Sequence, residues 1–140
     1  MKTKPLEHAE HNETVCAYLD IGEAHNRHDW VVTTAFYSAL HFARHKIFPI
    51  TIEAAPKKEI EFETFEDYYH YHSSINPRCG NKHEFLKKLV RQKINSVADD
   101  YDHLLGMSQN ARYDNYNLDE NFSKSAKKSL KKIKAACKAL

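Results

Sequence analysis

Apolar residues recur along most of this chain at helical spacing, and most densely between Asp29 and His45. Trp30, Val31, Ala35, Phe36, Ala39, Leu40, Ala43 and, just beyond, Ile47 lie almost all round a helix there. A helix that is apolar on nearly every side has to be covered on several sides, so this segment predicts the central rod of a helical bundle. Asp29 is placed to cap it by accepting from the free amides of its first turn, and Pro49 to stop it. Tyr37, His41 and Arg44 fall at i, i+4 and i+7 and make a polar stripe on this otherwise apolar rod. Such a stripe is either satisfied by neighbouring helices or lines a site, because buried polar groups without partners are costly.

The remaining pattern predicts five or six helices without an internal repeat. Pro5 suits the first turn of helix one, which Leu6, Ala9, Cys16, Leu19 and Ala24 carry to about Asn26. Ile50 to Lys58, with Pro56, reads as a loop. From Ile60 to Ser74 the residues Ile60, Phe62, Phe65, Tyr68, Tyr69 and His72 mix periods of two and 3.6, which predicts a short or irregular helix. A turn cluster follows at Asn76-Pro77-Arg78-Cys79-Gly80-Asn81, and Asn81 caps a helix buried through Phe85, Leu86, Leu89, Val90 and Ile94. Asn95-Ser96 breaks it, and Val97, Tyr101, Leu104, Leu105, Ser108 and Arg112 line the next long helix. After a turn at Asp114 to Leu118, Phe122, Ala126, Leu130, Ile133, Cys137 and Leu140 form a narrow apolar seam on a last helix that packs on the outside of the bundle.

Length and composition agree with an all-α class. A chain of 140 residues builds one core and is short for two, so residues 1–140 form a single domain, with the core over about 6–116 and a basic terminal helix over about 119–140. Three glycines and four prolines leave little material for the turns of an all-β fold. No long apolar run marks a membrane span or a signal peptide, so the expectation is a soluble, cytoplasmic protein. Cys16, Cys79 and Cys137 stand far apart with no CxxC pair, which favours buried or incidental thiols over a disulfide framework or a zinc knuckle.

Charge changes the picture more. The net charge of +2 conceals seven lysines and no acid between Ser123 and Leu140, against a balance of −5 before them. Between Glu53 and Tyr69 six acids face only Lys57 and Lys58. These segments are suited to attract each other within one chain or between two, which competes with nucleic-acid binding as a use for the lysines. Lysine-rich terminal helices are commonly solvated faces, and arginine, the better phosphate fork, is missing from this one.

Asp29-Trp30 followed by Thr33-Thr34-Ala35-Phe36-Tyr37-Ser38-Ala39-Leu40-His41, Lys82-His83 opening a later helix, and Tyr101, Leu104, Ser108, Arg112 and Tyr113 on the next resemble the HEPN superfamily, in particular its small stand-alone bacterial members. The similarity runs from about Asn12 to Tyr116. It implies an up-and-down bundle of four to five main helices, usually a homodimer, and a link to RNA cleavage, nucleotide binding, or defence and toxin systems. Active members carry an arginine, four to six residues, then a histidine, and pair them across the dimer axis. Metal-independent RNA cleavage needs a group that moves the 2′-hydroxyl proton and a cation for the phosphate, roles that His and Arg fill without metal or cofactor. Arg112 stands where the resemblance places the functional arginine, but no histidine follows in Tyr113-Asp114-Asn115-Tyr116-Asn117. The literal spacing occurs instead at Arg78-Cys79-Gly80-Asn81-Lys82-His83, in a turn that runs into a helix start, where a capping role for His83 and a solvated Arg78 are the plainer account.

The candidate catalytic residues are thus Arg112, His83 and Arg78, and the candidate ligand-binding residues are Tyr37, His41, Arg44 and Tyr113. Arg44 on the stripe and Arg112 on a neighbouring helix, two cations beside aromatics on core helices, need partners, which Asp99, Asp100, Asp102 or Asp114 would provide; an anionic ligand is the alternative. His8 with His11, His25 with His28, and His41 with His45 are paired at helical spacing, yet no pattern completes a zinc site; Glu23 with His25 and His28 is the first to check. Tyr68, Tyr69 and Tyr71 fit packing better than base stacking, because Glu66 and Asp67 repel phosphates beside them. The expectation is an RNA- or nucleotide-binding protein with a non-standard endoribonuclease as one form. The competing class is a non-enzymatic dimeric adaptor that docks a protein partner through residues 53–69 or the basic last helix.

Overall fold

A computed structural model describes residues 5–19, 28–111 and 120–138. Among them run α1 (Pro5–Leu19), α2 (His28–Ile47), β1 (Ile50–Ala55), β2 (Lys58–Phe62), α3 (Phe65–Ile75), α4 (Lys82–Lys93), a single 3-10 turn (Asn95–Val97), α5 (Ala98–Gln109) and α6 (Glu120–Lys138). The fold is a helical bundle with one two-stranded hairpin attached.

Helix α2 is the rod on which the bundle assembles, packing against α1, α5 and α6. Val31, Val32, Ala35, Phe36, Ala39, Phe42 and Ala43 are wholly enclosed, as its apolar circumference requires. Ala39 and Ala43 keep the rod narrow, and Ser38 is tolerated at its centre because its hydroxyl donates to the Ala9 carbonyl at 2.7 Å. That bond and the Cys16 thiol donating to the Val31 carbonyl at 3.5 Å run α1 antiparallel to α2. His28 Nδ1 lies 2.6 Å from Ser123 Oγ, and the Lys134 ammonium lies 6.0 Å from the centre of the Phe42 ring, so α6 runs parallel to α2. Its seam is buried at Ala126, Leu130, Ile133 and Cys137. Burial pushes the Cys137 thiol up to about 12, so it packs as a small apolar group.

Two of the apolar positions depart from expectation. Trp30, in the first turn of α2, is 59% exposed, and Phe122, at the start of the α6 seam, is 42% exposed. Helix α2 begins at His28, so Asp29 sits inside the first turn and complements the helix dipole there rather than capping it. Asn81 does cap α4, its Oδ1 accepting from the Glu84 amide at 2.9 Å.

The larger correction lies between Ile50 and Ile75. The supposed loop and the first part of the supposed irregular helix form the antiparallel hairpin, with Ile52 opposite Ile60 and Ile50 opposite Phe62. The mixed periodicity is two elements in succession. Ile60 and Phe62 alternate on β2; Phe65, Tyr68, Tyr69 and His72 then follow the helical period of α3, whose start is set by Thr64 Oγ1 accepting from the Asp67 amide at 3.2 Å. Tyr68 packs its ring against Phe48, Phe62 and Phe85, which seats the hairpin and α3 on the end of the bundle.

Candidate functional site

The polar stripe of α2 lies where α1, α3 and α4 converge and opens into a cleft with two lobes that share His41 and Arg44. The smaller lobe, about 280 Å³, is bounded by Tyr37 and Leu40 on α2 and by Lys82, His83 and Leu86 on α4. The larger, about 500 Å³, reaches Pro5 and His8 on α1, Phe48 after α2, and Glu63 to Asp67 at the start of α3. Local sequence explains the placement. Stripe spacing sets Tyr37, His41 and Arg44 on one face, the Asn81 cap starts α4 so that Lys82 and His83 occupy its first turn, and the Thr64 cap does the same for Glu66 and Asp67.

Arg44 is the pivot. Its side chain is only 16% exposed; Nη1 donates to Glu66 Oε1 at 2.7 Å and the guanidinium lies 4.5 Å from the centre of the Phe65 ring. Burial works against its charge, and the Glu66 carboxylate restores part of the balance. The aspartates expected to pair the cluster are engaged elsewhere: Asp99 and Asp102 accept from Arg91 at 2.8 and 2.7 Å, and Asp100 lies 3.9 Å from Lys132. Asp114 lies outside the described residues.

His41 stacks on His8, with ring centres 4.8 Å apart. Burial, then the charges of Arg44 and His8, push the His41 imidazole down to about 4, against a smaller opposing pull from Glu66. At neutral pH His41 is therefore an uncharged ring beside a fixed cation. A neutral imidazole accepts a proton and a guanidinium holds a phosphate, which is the pair of capacities that metal-independent phosphodiester chemistry uses.

Of the candidates named from sequence, Tyr37, His41, Arg44 and His83 meet at the cleft. His83 is not the cap of α4; its ring packs 5.6 Å from that of Phe36. Arg78 is exposed in the preceding turn and lines neither lobe. Arg112 and Tyr113 lie outside the described residues. His8 and Glu66 were missed as site residues, since each reaches the cleft only by the packing of α1 or α3 on α2. Among the described residues no cluster of three His, Cys, Asp or Glu is arranged to hold a metal ion, and Glu23 and His25 fall outside them. The lysines of α6 meet Glu13, Asp100 and Glu120, at 2.8 Å for Lys134, 3.9 Å for Lys132 and 3.4 Å for Lys124. Those pairs lie on α1, α5 and α6 itself, away from the acidic segment.

Tyr101 contributes a further feature. Its hydroxyl and the Arg44 Nε are both buried and make no hydrogen bond. An unpaired buried hydroxyl forfeits its hydration, so Tyr101→Phe is expected to raise stability by about 1 kcal/mol, read as a higher urea midpoint at unchanged slope. A fall in the midpoint would show that the hydroxyl is paired in solution.

Compared with known proteins, the chain matches no family model, no curated protein and no solved structure. Among the described residues no helix is long and apolar enough to cross a membrane.

Proposed function

We propose that this chain is an RNA- or nucleotide-binding protein of the HEPN-like kind, and that the cleft on the polar face of α2 receives the ligand's phosphate. One observation carries this reading: Arg44 and Lys82, from different helices, bound a small lobe together with Tyr37, His41 and His83, and no carboxylate lines it. Two cations facing a recess with two imidazoles and a phenol suit an oxyanion. His41 beside Arg44 also supports a non-standard ribonuclease activity that needs no metal.

The test is fluorescence anisotropy with labelled mixed-sequence RNA and with nucleoside monophosphates, over a series of salt concentrations. Lys82→Ala is expected to weaken binding for all sequences and to lower the salt slope by about one. Replacing Lys128 and Lys131 together by alanine on the outer face of α6 is expected to leave both unchanged. Absence of binding at low salt, or loss only in the α6 variant, overturns the cleft. Incubation of RNA with the protein in EDTA reads any cleavage, and His41→Ala is expected to abolish it.

A second reading has its own observation. Tyr18, Trp30 and Phe122, the last helix's first aromatic, are 72%, 59% and 42% exposed. The antiparallel α1–α2 and parallel α2–α6 packing brings them to the same end of the bundle, a surface suited to a protein partner or a second copy of the chain. Sedimentation of the unaltered chain and of Trp30→Ala separates the two uses, since RNA binding in the cleft is expected to survive that substitution.

A further inference from the structure

Two charged faces of this chain, one on the hairpin and one on α6, meet nothing within it. Strand alternation turns Ile50, Ile52, Ile60 and Phe62 toward the core and leaves Thr51, Glu53, Glu59 and Glu61 exposed on the other side. The register sets Glu53 directly opposite Glu59 and Thr51 opposite Glu61, so three carboxylates share one outward face. Like charges opposed across a strand pair work against the pairing, and this sheet has only two strands to hold it. On α6, Lys124, Lys128, Lys131 and Lys138 line the side of the helix opposite the buried Ala126, Leu130, Ile133 and Cys137. Among the described residues, Glu53, Glu59, Glu61, Lys128, Lys131 and Lys138 take part in no hydrogen bond or ion pair, and Lys124 reaches only Glu120 on its own helix. The α6 lysines that do pair across the fold turn to α1 and α5.

We propose that the outward face of the hairpin docks on the lysine ridge of α6 in a second copy of this chain. Charge complementarity carries the assignment: each face is exposed, of one sign and unpaired at home, and each supplies what the other lacks. The dimensions agree as well. Strand geometry keeps the three carboxylates within about 8 Å of one another, and Lys124 to Lys131 span about 10 Å of helix, a difference that flexible lysine stems cover. The face given differs from the face received, so the contact is heterologous and either closes into a ring or repeats along a chain of copies. Its attraction is screened by salt. The inference stands apart from the phosphate reading, whose lobe is bounded by α2 and α4, and it leaves Lys128 and Lys131 without a part in RNA binding.

Sedimentation velocity of the whole chain over a series of concentrations, at low and at high salt, tests the contact. The average mass is expected to rise with concentration at low salt, and raising the salt from about 0.05 to about 0.5 M is expected to weaken association about tenfold or more. Glu53→Gln with Glu59→Gln, and separately Lys128→Gln with Lys131→Gln, are each expected to weaken it by a similar factor. All four positions are exposed, and the first pair of substitutions relieves a like-charge contact, so folding is preserved. Charge exchange reads the pairing itself. Glu53→Lys with Glu59→Lys in one preparation and Lys128→Glu with Lys131→Glu in another leave each chain with two faces of one sign, so neither is expected to associate alone, whereas their mixture is.

A chain that stays monomeric at low salt overturns the proposal, and if its RNA affinity also falls in the Lys128→Gln, Lys131→Gln variant, the ridge belongs to nucleic acid. Association that persists at high salt and is lost in Trp30→Ala overturns it too, placing the contact at the aromatic end of the bundle. Association that grows when Glu53 and Glu59 are neutralised overturns it in a third way, by making those carboxylates guards that keep the hairpin from pairing with other chains.

Discussion

Phe36→Ala is expected to lower the free energy of unfolding by about 3–5 kcal/mol, a substantial share of the whole stability of a domain this size. The ring is fully enclosed, and it stands 5.5 Å from Tyr37, 5.6 Å from His83 and 5.9 Å from Tyr101, so it joins α2 to α4 and α5 at one point. Truncation removes the transfer energy of the ring and leaves a cavity between three helices that cannot all close on it. The same cavity loosens His83, so ligand affinity at the cleft should fall further than the loss of folded protein explains. Trp30, six residues earlier on the same helix, is the control: exposed by 59%, it should cost under about 1 kcal/mol when replaced by alanine. Urea melts of both variants check the pair. A large loss at Trp30 with a small one at Phe36 would mean that α2 is rotated about its axis, with Trp30 inside and Phe36 outside.

The identity of the central rod was legible because nearly every position from Val31 to Ala43 is apolar or small, a pattern that leaves no solvent face to place. Trp30 shows the limit of that reasoning. Helical phase near a terminus depends on which neighbours extend that far, and hydrophobicity alone does not report it. The hairpin is hidden in the sequence for a different reason. Its strands are six and five residues long and bury only one partial face, and its turn uses Pro56 and Lys57, with Lys57 at a φ of 65°, instead of the glycine that usually announces such a turn.

The site divides along the same line. Tyr37, His41 and Arg44 are neighbours by helical spacing, so sequence places them together. The Arg44–Glu66 bridge and the His8–His41 stack join residues 22 and 33 positions apart through tertiary packing, and no local pattern encodes them. What the spacing does reveal is the need: a buried arginine on a core helix demands an acid, even where the sequence points to the wrong one.

That constellation makes stability depend on acid in a definite direction. The folded His41 titrates near 4, below the 6.5 of an unhindered imidazole, so the unfolded chain takes up a proton there more readily than the folded one. Above about pH 6.5 both states hold it neutral and nothing is lost. As pH falls from 6.5 toward 4 the unfolded state gains the proton alone, and stability declines. The full shift corresponds to about 3 kcal/mol, and partial solvent access at the cleft reduces the expected loss to about 1–2 kcal/mol. The groups facing the ring are Arg44 and His8, which oppose its protonation, and Glu66, which favours it. His41→Gln therefore should flatten the decline across this window, while Glu66→Gln should steepen it by removing the one favourable charge. Urea midpoints measured at intervals through the window, with the His41 titration followed by NMR, decide the matter. A profile that is equally steep in the unaltered chain and in His41→Gln would place the acid sensitivity in other groups and separate it from the cleft.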